Sequence, residues 1–224
     1  MQIYVDLDNT LTDFSEKLSH ILHKTIKKDY NFGGDPKIWG AINRAGKNFW
    51  AHMEWMPDGH KLWDAIKEYE PTILTAPSNH PSSREGKKEW LKENLPDVPF
   101  IIEQKKEKYA GKNKVLIDDR KKNIEKWEEA GGIGILHKDT ESTLEKLKKV
   151  LEISKKASDQ DKTDRAKKIW IDKSRKPGRP EKIINTPPEA GGPYSRQTKH
   201  KRPWQTYVEA SEKLRKIASV LNNM

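Results

Sequence analysis

Short apolar runs separated by amphipathic stretches set the layout of the chain. Ile3-Tyr4-Val5, Thr72–Thr75, Phe100-Ile101-Ile102, Val115-Leu116-Ile117 and Ile133–Leu136 are β-rich and almost unbroken in apolar character. That is the pattern of strands covered on both faces, as in a parallel sheet. Between them apolar residues recur at helical spacing. Phe14, Leu18, Ile21, Leu22 and Ile26 predict a first helix, and Ile38, Trp39, Ile42, Phe49 and Trp50 a second. Gly33-Gly34-Asp35-Pro36 separates these two, with Asp35 as a cap and Pro36 as a first-turn residue. Leu62, Trp63, Ile66 and Tyr69 predict a helix before the second strand. Another runs from a Ser82 or Ser83 cap to Leu95, and Ile124 and Trp127 mark one closed by Gly131-Gly132. A Ser142/Glu145 capping box opens the last, with Leu144, Leu147, Val150 and Leu151 facing inward. Strands alternating with helices predict an α/β fold with a doubly wound parallel sheet.

Beyond Ser154 this periodicity dissolves. Lys173 to Pro203 is rich in Pro, Gly, Lys and Arg and reads as irregular, while Trp204 to Leu221 regains a helical pattern. Charge divides at the same place. The chain carries 44 Lys+Arg against 34 Asp+Glu, and residues 155–224 hold 18 and 8 of these. Residues 1–154 are therefore neutral, and the whole excess of +10 sits in the extension. Two units are expected, an α/β domain at 1–154 and a basic C-terminal extension at 155–224. With no cysteine, disulfides and thiolate metal sites are excluded. The first ten residues read as a strand rather than a signal sequence, and no apolar run approaches the roughly 18 residues of a membrane span. The expectation is a soluble, cytoplasmic protein with no membrane partner.

The candidate chemistry lies where strands end. The first run stops in Asp6-Leu7-Asp8, followed by Asn9, which tolerates a left-handed backbone. The second ends in Thr75-Ala76-Pro77 and the fourth in Asp118-Asp119. Ligands of open α/β sheets bind beyond the carboxyl ends of the strands, where these groups fall.

Carboxylate, hydroxyl and carboxylate pair at three strand ends resemble the haloacid dehalogenase (HAD) superfamily of phosphohydrolases, over roughly residues 1–152. Within it the likeness is greatest to the 5′(3′)-deoxyribonucleotidases. It is carried by Asp6-Leu7-Asp8 with Asp13-Phe14, by Thr75-Ala76-Pro77, and by Leu116-Ile117-Asp118-Asp119-Arg120 with Asn123-Ile124. The resemblance implies a HAD-like, Rossmann-type sheet with a small helical cap at about 15–58. It implies Asp6 as a nucleophile that takes the phosphoryl group and Asp8 as general acid, then base. Mg²⁺ would be held by Asp6, the Asp8 backbone carbonyl and Asp118, with Asp119 in support. Thr75 would bind phosphate together with a lysine. Lys105, Lys106, Lys108, Lys112 and Lys114 all compete for that place, and Lys108, ten residues before Asp118, fits the nucleotidase spacing best. Phe14, Phe49 and Trp50 would form a slot for the base. The implied reaction is hydrolysis of nucleoside monophosphates, most naturally deoxyribonucleotides. Ala76 stands where relatives carry serine, so contacts there differ.

The extension has no counterpart in that family. Arg175-Lys176-Pro177-Gly178-Arg179-Pro180 resembles the AT-hook, although Glu181 follows where a basic residue is usual. That resemblance makes Arg175, Lys176 and Arg179 candidate DNA contacts, since arginine favours narrow A·T minor grooves. The alternative for the segment is a solvated linker before a docking helix. For the whole chain the alternatives are a polynucleotide end phosphatase held to its substrate by the basic tail, and a DNA-binding protein whose phosphatase fold has lost activity.

Overall fold

The computed structural model describes residues 1–26 and 34–174. Five parallel strands form one sheet: β1 (Gln2–Val5), β2 (Thr72–Thr75), β3 (Phe100–Ile102), β4 (Lys114–Asp118) and β5 (Ile133–Leu136). Their order is β3-β2-β1-β4-β5, with Tyr4 beside Thr72 and Leu116, and Ile117 beside Ile135. The chain winds outward from β1 to β2 and β3, then crosses to β4 on the other side. The order therefore reverses at the β1/β4 boundary, which is where doubly wound sheets form their crevice.

Alternation along the strands divides the core in two. Ile3, Val5, Ile73, Val115, Ile117, Ile133 and Ile135 face one layer. Tyr4, Leu74 and Leu116 face the other, against Ile124 and Trp127 of α6 (Lys121–Glu129). The larger layer holds α1 (Phe14–Leu22), α2 (Pro36–Ala45), α3 (Lys47–Ala51), α4 (Gly59–Ile66) and α5 (Pro81–Asn94), and the start of α7 (Thr140–Ser174).

Several boundaries differ from the sequence expectation, each for a local reason. The first helix stops at Leu22 rather than Ile26, because His23 turns left-handed (φ 51°) and Ser19 Oγ accepts the Ile26 N–H. The second splits at Gly46, whose φ of 64° breaks the turn between α2 and α3. Asp35 and Pro36 do open α2, with Asp35 accepting the Lys37 N–H. α5 is capped by the His80 ring with Pro81 in its first turn, so Ser82 and Ser83 lie inside the helix. Asp139 rather than a Ser142/Glu145 box caps α7, and Glu145 pairs with Lys149 instead. Nor does α7 end near Ser154. It continues to Ser174 and is exposed at most positions from 155 to 168, so residue 154 marks the end of the buried stripe and not of the secondary structure. Arg175, Lys176, Arg179 and the rest of the expected linker and terminal helix lie outside the described residues. Among the described residues no helix is long and apolar enough to cross a membrane.

One seam decides where the site sits. A Cβ on Gly86 of α5 would lie 2.5 Å from the Lys47 carbonyl oxygen and 2.5 Å from Trp50 Cβ. α3 and α5 therefore touch backbone to backbone, a separation that only glycine permits. Trp90 donates to the Met53 carbonyl and Trp55 to Asn94, which ties the same two segments together further along α5.

Candidate active site

The β1 turn is fixed by its own polar atoms. Leu7 O accepts the N–H groups of Leu11 and Thr12 and the Thr12 hydroxyl, and Asn9 takes the left-handed angle (φ 54°) expected of it. Asn9 Oδ1 accepts from the Ser15 N–H and hydroxyl, and Asp13 caps α1 by accepting the Glu16 N–H. Asp6 N–H bonds to Ile117 O, which extends the β1–β4 ladder by one step and sets Asp6 beside Asp118.

Three carboxylates, Asp6, Asp118 and Asp119, then meet at the switch point, and Lys106 lies among them. Lys106 Nζ is 2.6 Å from Asp118 Oδ2 and 2.7 Å from Asp6 Oδ1, the latter a charge contact outside hydrogen-bond alignment. Burial works against the Lys106 charge, but Asp118 and Asp6 outweigh it and hold the ammonium above its ordinary value. Asp118 is enclosed, and its carboxylate also accepts from the Arg120 N–H at 2.8 Å and the Asn123 amide at 2.9 and 3.0 Å. Burial still pushes Asp118 up, Lys106 opposes this, and Asp6 adds to it. Asp119 is pushed well above the usual range by burial and then by Asp118 and Asp6. Its Oδ1 is buried without a hydrogen-bond partner.

Asp8 stands apart from this group. Its side chain keeps 26% exposure, while Asp6 keeps 6% and Asp118 none. Asp8 Oδ2 accepts from Lys87 of α5 at 2.6 Å. Burial of its carboxyl group pushes Asp8 up, with Lys87 opposing and Asp6 reinforcing, a direction that suits a proton donor. Lys87 also donates to Thr75 Oγ1 at 2.7 Å and to the Ala76 carbonyl at 2.8 Å.

The structure thus brings together Asp6, Asp8, Thr75, Asp118 and Asp119. It does not bring Lys108. That lysine is on the surface, 2.8 Å from Glu103, which it and the Lys105 N–H pull down to about 2. The lysine among the acids is Lys106. Both belong to a 3₁₀ turn, Lys106–Tyr109, with about three residues per turn, so positions two apart face different ways. Phe14, Phe49 and Trp50 do come together, but as a packed cluster rather than an open slot. Their ring centroids lie 5.0–5.7 Å apart, and all three are buried. Sequence reasoning missed Lys87 altogether and left Asn123 without a role.

Asp6, Asp118 and Asp119 each present an oxygen, all within 4.8 Å of one another. An all-oxygen donor set with an unpartnered buried carboxylate oxygen fits a hard divalent cation. The Asp8 carboxyl faces Lys87 instead and is outside this group.

Comparison with known proteins points the same way. The family model described as "5′ nucleotidase, deoxy (Pyrimidine), cytosolic type C protein" matches residues 1–151. The chain belongs to that family. It is accordingly a phosphoric monoester hydrolase of the nucleotidase type, and the match ends close to where α7 leaves the core. No curated protein matches the chain. Similar solved structures include a hydrolase from Pseudomonas syringae (11% identity, TM-score 0.37, 60% of this chain and 82% of that one). Others are a haloacid dehalogenase-like family hydrolase from Xanthomonas campestris (15%, 0.39, 61% and 81%) and a beta-phosphoglucomutase, so described as putative, from Thermotoga maritima (12%, 0.37, 62% and 87%).

Proposed function

We propose that this nucleotidase is a Mg²⁺-dependent phosphomonoesterase that removes phosphate from nucleoside monophosphates, deoxyribonucleotides above all, through an aspartyl phosphate on Asp6. The observation that carries the reading is the convergence of Asp6, Asp118 and Asp119 around Lys106 at the sheet's switch point, with Asp8 held close by on Lys87. A DNA-binding protein without activity has no need to bury such a cluster, since uncompensated charge in the interior is costly.

In this mechanism an Asp6 oxygen forms a bond to phosphorus as the bond to the nucleoside oxygen breaks. Asp8 gives its proton to that oxygen. A water then attacks the phosphoryl group, Asp8 takes a proton from it, and Asp6 leaves as a carboxylate. Thr75 and Lys106 bind the phosphate oxygens. Asp6, Asp118, Asp119 and the Asp8 carbonyl would hold the metal. The chemistry that Mg²⁺ supplies when bound is neutralisation of the carboxylate–phosphate repulsion and polarisation of the phosphoryl group.

A phosphate-release screen over mononucleotides, sugar phosphates and 3′- or 5′-phosphorylated oligonucleotides tests the substrate. Deoxyribonucleotides are expected to lead in kcat/KM. Phe14 is buried against Phe49 and Trp50, so Phe14→Ala is expected to cost about 3–5 kcal/mol of stability, read in a thermal melt, rather than a base-stacking contact. Equal activity of the wild type on glucose 6-phosphate and dTMP overturns the substrate. Preference for phosphorylated oligonucleotides favours an end phosphatase instead.

Metal binding has a readout that needs no turnover. Mg²⁺ at about a hundredfold excess over its Kd contributes about 2.7 kcal/mol, or about 5–10 °C in melting temperature for a domain of this size. Asp118→Asn is expected to lose most of that shift. An unchanged shift in this variant removes Asp118 from the ligand set.

A further inference from the structure

Lys87 is the one feature of the site that neither the motifs nor the mechanism above has used. It lies on a stripe of α5 formed by Ser83, Gly86, Lys87, Trp90 and Leu91, all buried, and is itself wholly enclosed. A charged side chain in such a place is retained only where its hydrogen bonds are made. An ammonium has three N–H donors. Those of Lys87 go to Asp8 Oδ2, Thr75 Oγ1 and the Ala76 carbonyl, at 2.6, 2.7 and 2.8 Å. The Trp50 ring covers the remaining side, its centroid 5.1 Å from Nζ. No N–H is left over, so Lys87 is not a phosphate ligand.

What it does follows from its two side-chain acceptors. With Asp8 Oδ2 engaged, the oxygen left to the substrate is Oδ1, which is buried and has no hydrogen-bond partner. With Thr75 Oγ1 accepting from Lys87, the single hydroxyl proton of Thr75 is turned elsewhere, as donation to a phosphate oxygen requires. Resting on the phosphomonoesterase reading above, we propose that Lys87 is a positioning residue that sets both sides of the reacting phosphate, presenting Asp8 Oδ1 to the leaving oxygen and the Thr75 hydroxyl to a non-bridging one. Because it reaches the reaction through Asp8, its importance depends on how badly the leaving group needs a proton. A merely structural lysine has no such dependence.

The test is kcat/KM of wild type, Lys87→Met and Lys87→Gln on a nucleoside monophosphate and on p-nitrophenyl phosphate, whose leaving group departs without a proton. General acid catalysis contributes about 10²–10⁴-fold. Lys87→Met is expected to lose about a hundredfold or more on the nucleotide and less than about tenfold on the aryl ester, with Lys87→Gln between. In an Asp8→Asn background, adding Lys87→Met is expected to cost less than about threefold on the nucleotide, since the two act as a unit. Equal losses on both esters, or multiplicative losses in the double variant, overturn the proposal. Circular dichroism monitors folding. If Lys87→Met alone does not fold, Lys87→Gln and the Asp8→Asn/Lys87→Met pair, which removes both charges, decide between the same outcomes. Wild type that cleaves the aryl ester but no nucleotide overturns only the substrate assignment, and alkyl phosphates then serve as the poor leaving group.

Discussion

Asp6→Asn is expected to abolish phosphate release from every monoester the wild type cleaves while the protein still folds. Phosphate-monoester hydrolysis needs up to about 10²¹-fold acceleration, and an amide cannot carry the phosphoryl group. Nucleophile loss in enzymes whose groups act as a unit costs on the order of 10⁶-fold in kcat, which places the variant below detection. The fold survives because asparagine has the same shape and can turn its carbonyl oxygen toward Lys106, where Asp6 Oδ1 now lies at 2.7 Å. Losing one charge also relieves Asp118 and Asp119, both of which Asp6 pushes up. The check is phosphate release alongside a thermal melt. Activity within tenfold of wild type removes Asp6 as the nucleophile, whatever becomes of the metal.

The second large effect separates two lysines only two residues apart. Lys106→Met is expected to lower the stability of the metal-free protein by about 3–5 kcal/mol, the usual cost of stripping the partner from a buried charge. At about 2–4 °C per kcal/mol for a domain of this size, the melting temperature falls by about 10 °C. Proton uptake by the acids softens that loss, and Mg²⁺ recovers part of it by binding the same oxygens. Activity falls by about 10²–10³-fold, as when one preorganised donor to developing charge is lost. Lys108→Met is expected to change stability by less than about 0.5 kcal/mol, because its partner Glu103 is a surface group. Differential scanning fluorimetry with and without Mg²⁺ measures the stabilities, and phosphate release measures the activity. A larger penalty for Lys108→Met than for Lys106→Met reverses the assignment of the two side chains.

The strands were legible because each is a short apolar run that ends abruptly in polar residues, and burial on both faces demands that pattern. Asp6, Asp8, Thr75 and Asp118 were legible with them, since a residue's place at a strand end follows once the strand is known. The lysines were not. Counting back from Asp118 finds a position in the sequence but not the hand of the turn that carries it, and the 3₁₀ geometry at Lys106 decides which lysine faces in. Lys87 reads as surface because it sits in a Lys87-Lys88 pair on a helix rich in charge. A signal did exist, since Lys87 lies at i+4 from Ser83 and i−3 and i−4 from Trp90 and Leu91, on the stripe that has to be buried. Beyond Ser154 the apolar periodicity stops although the helix does not. Positions 155 to 168 are mostly exposed, and an exposed stretch of helix needs no apolar stripe.

The glycine at the α3/α5 seam bears on how far the site can be reshaped. Trp50 of the aromatic cluster and Lys87 beside the carboxylates are held at their separation by the close approach of α3 and α5 at Gly86. Their spacing is a property of the chain's path. Moving Trp50 outward means displacing a whole helix, and that would carry Lys87 away from Asp8 and Thr75. The aromatic cluster and the carboxylate cluster are mechanically joined there, so a change that loosens the first is bound to disturb the second.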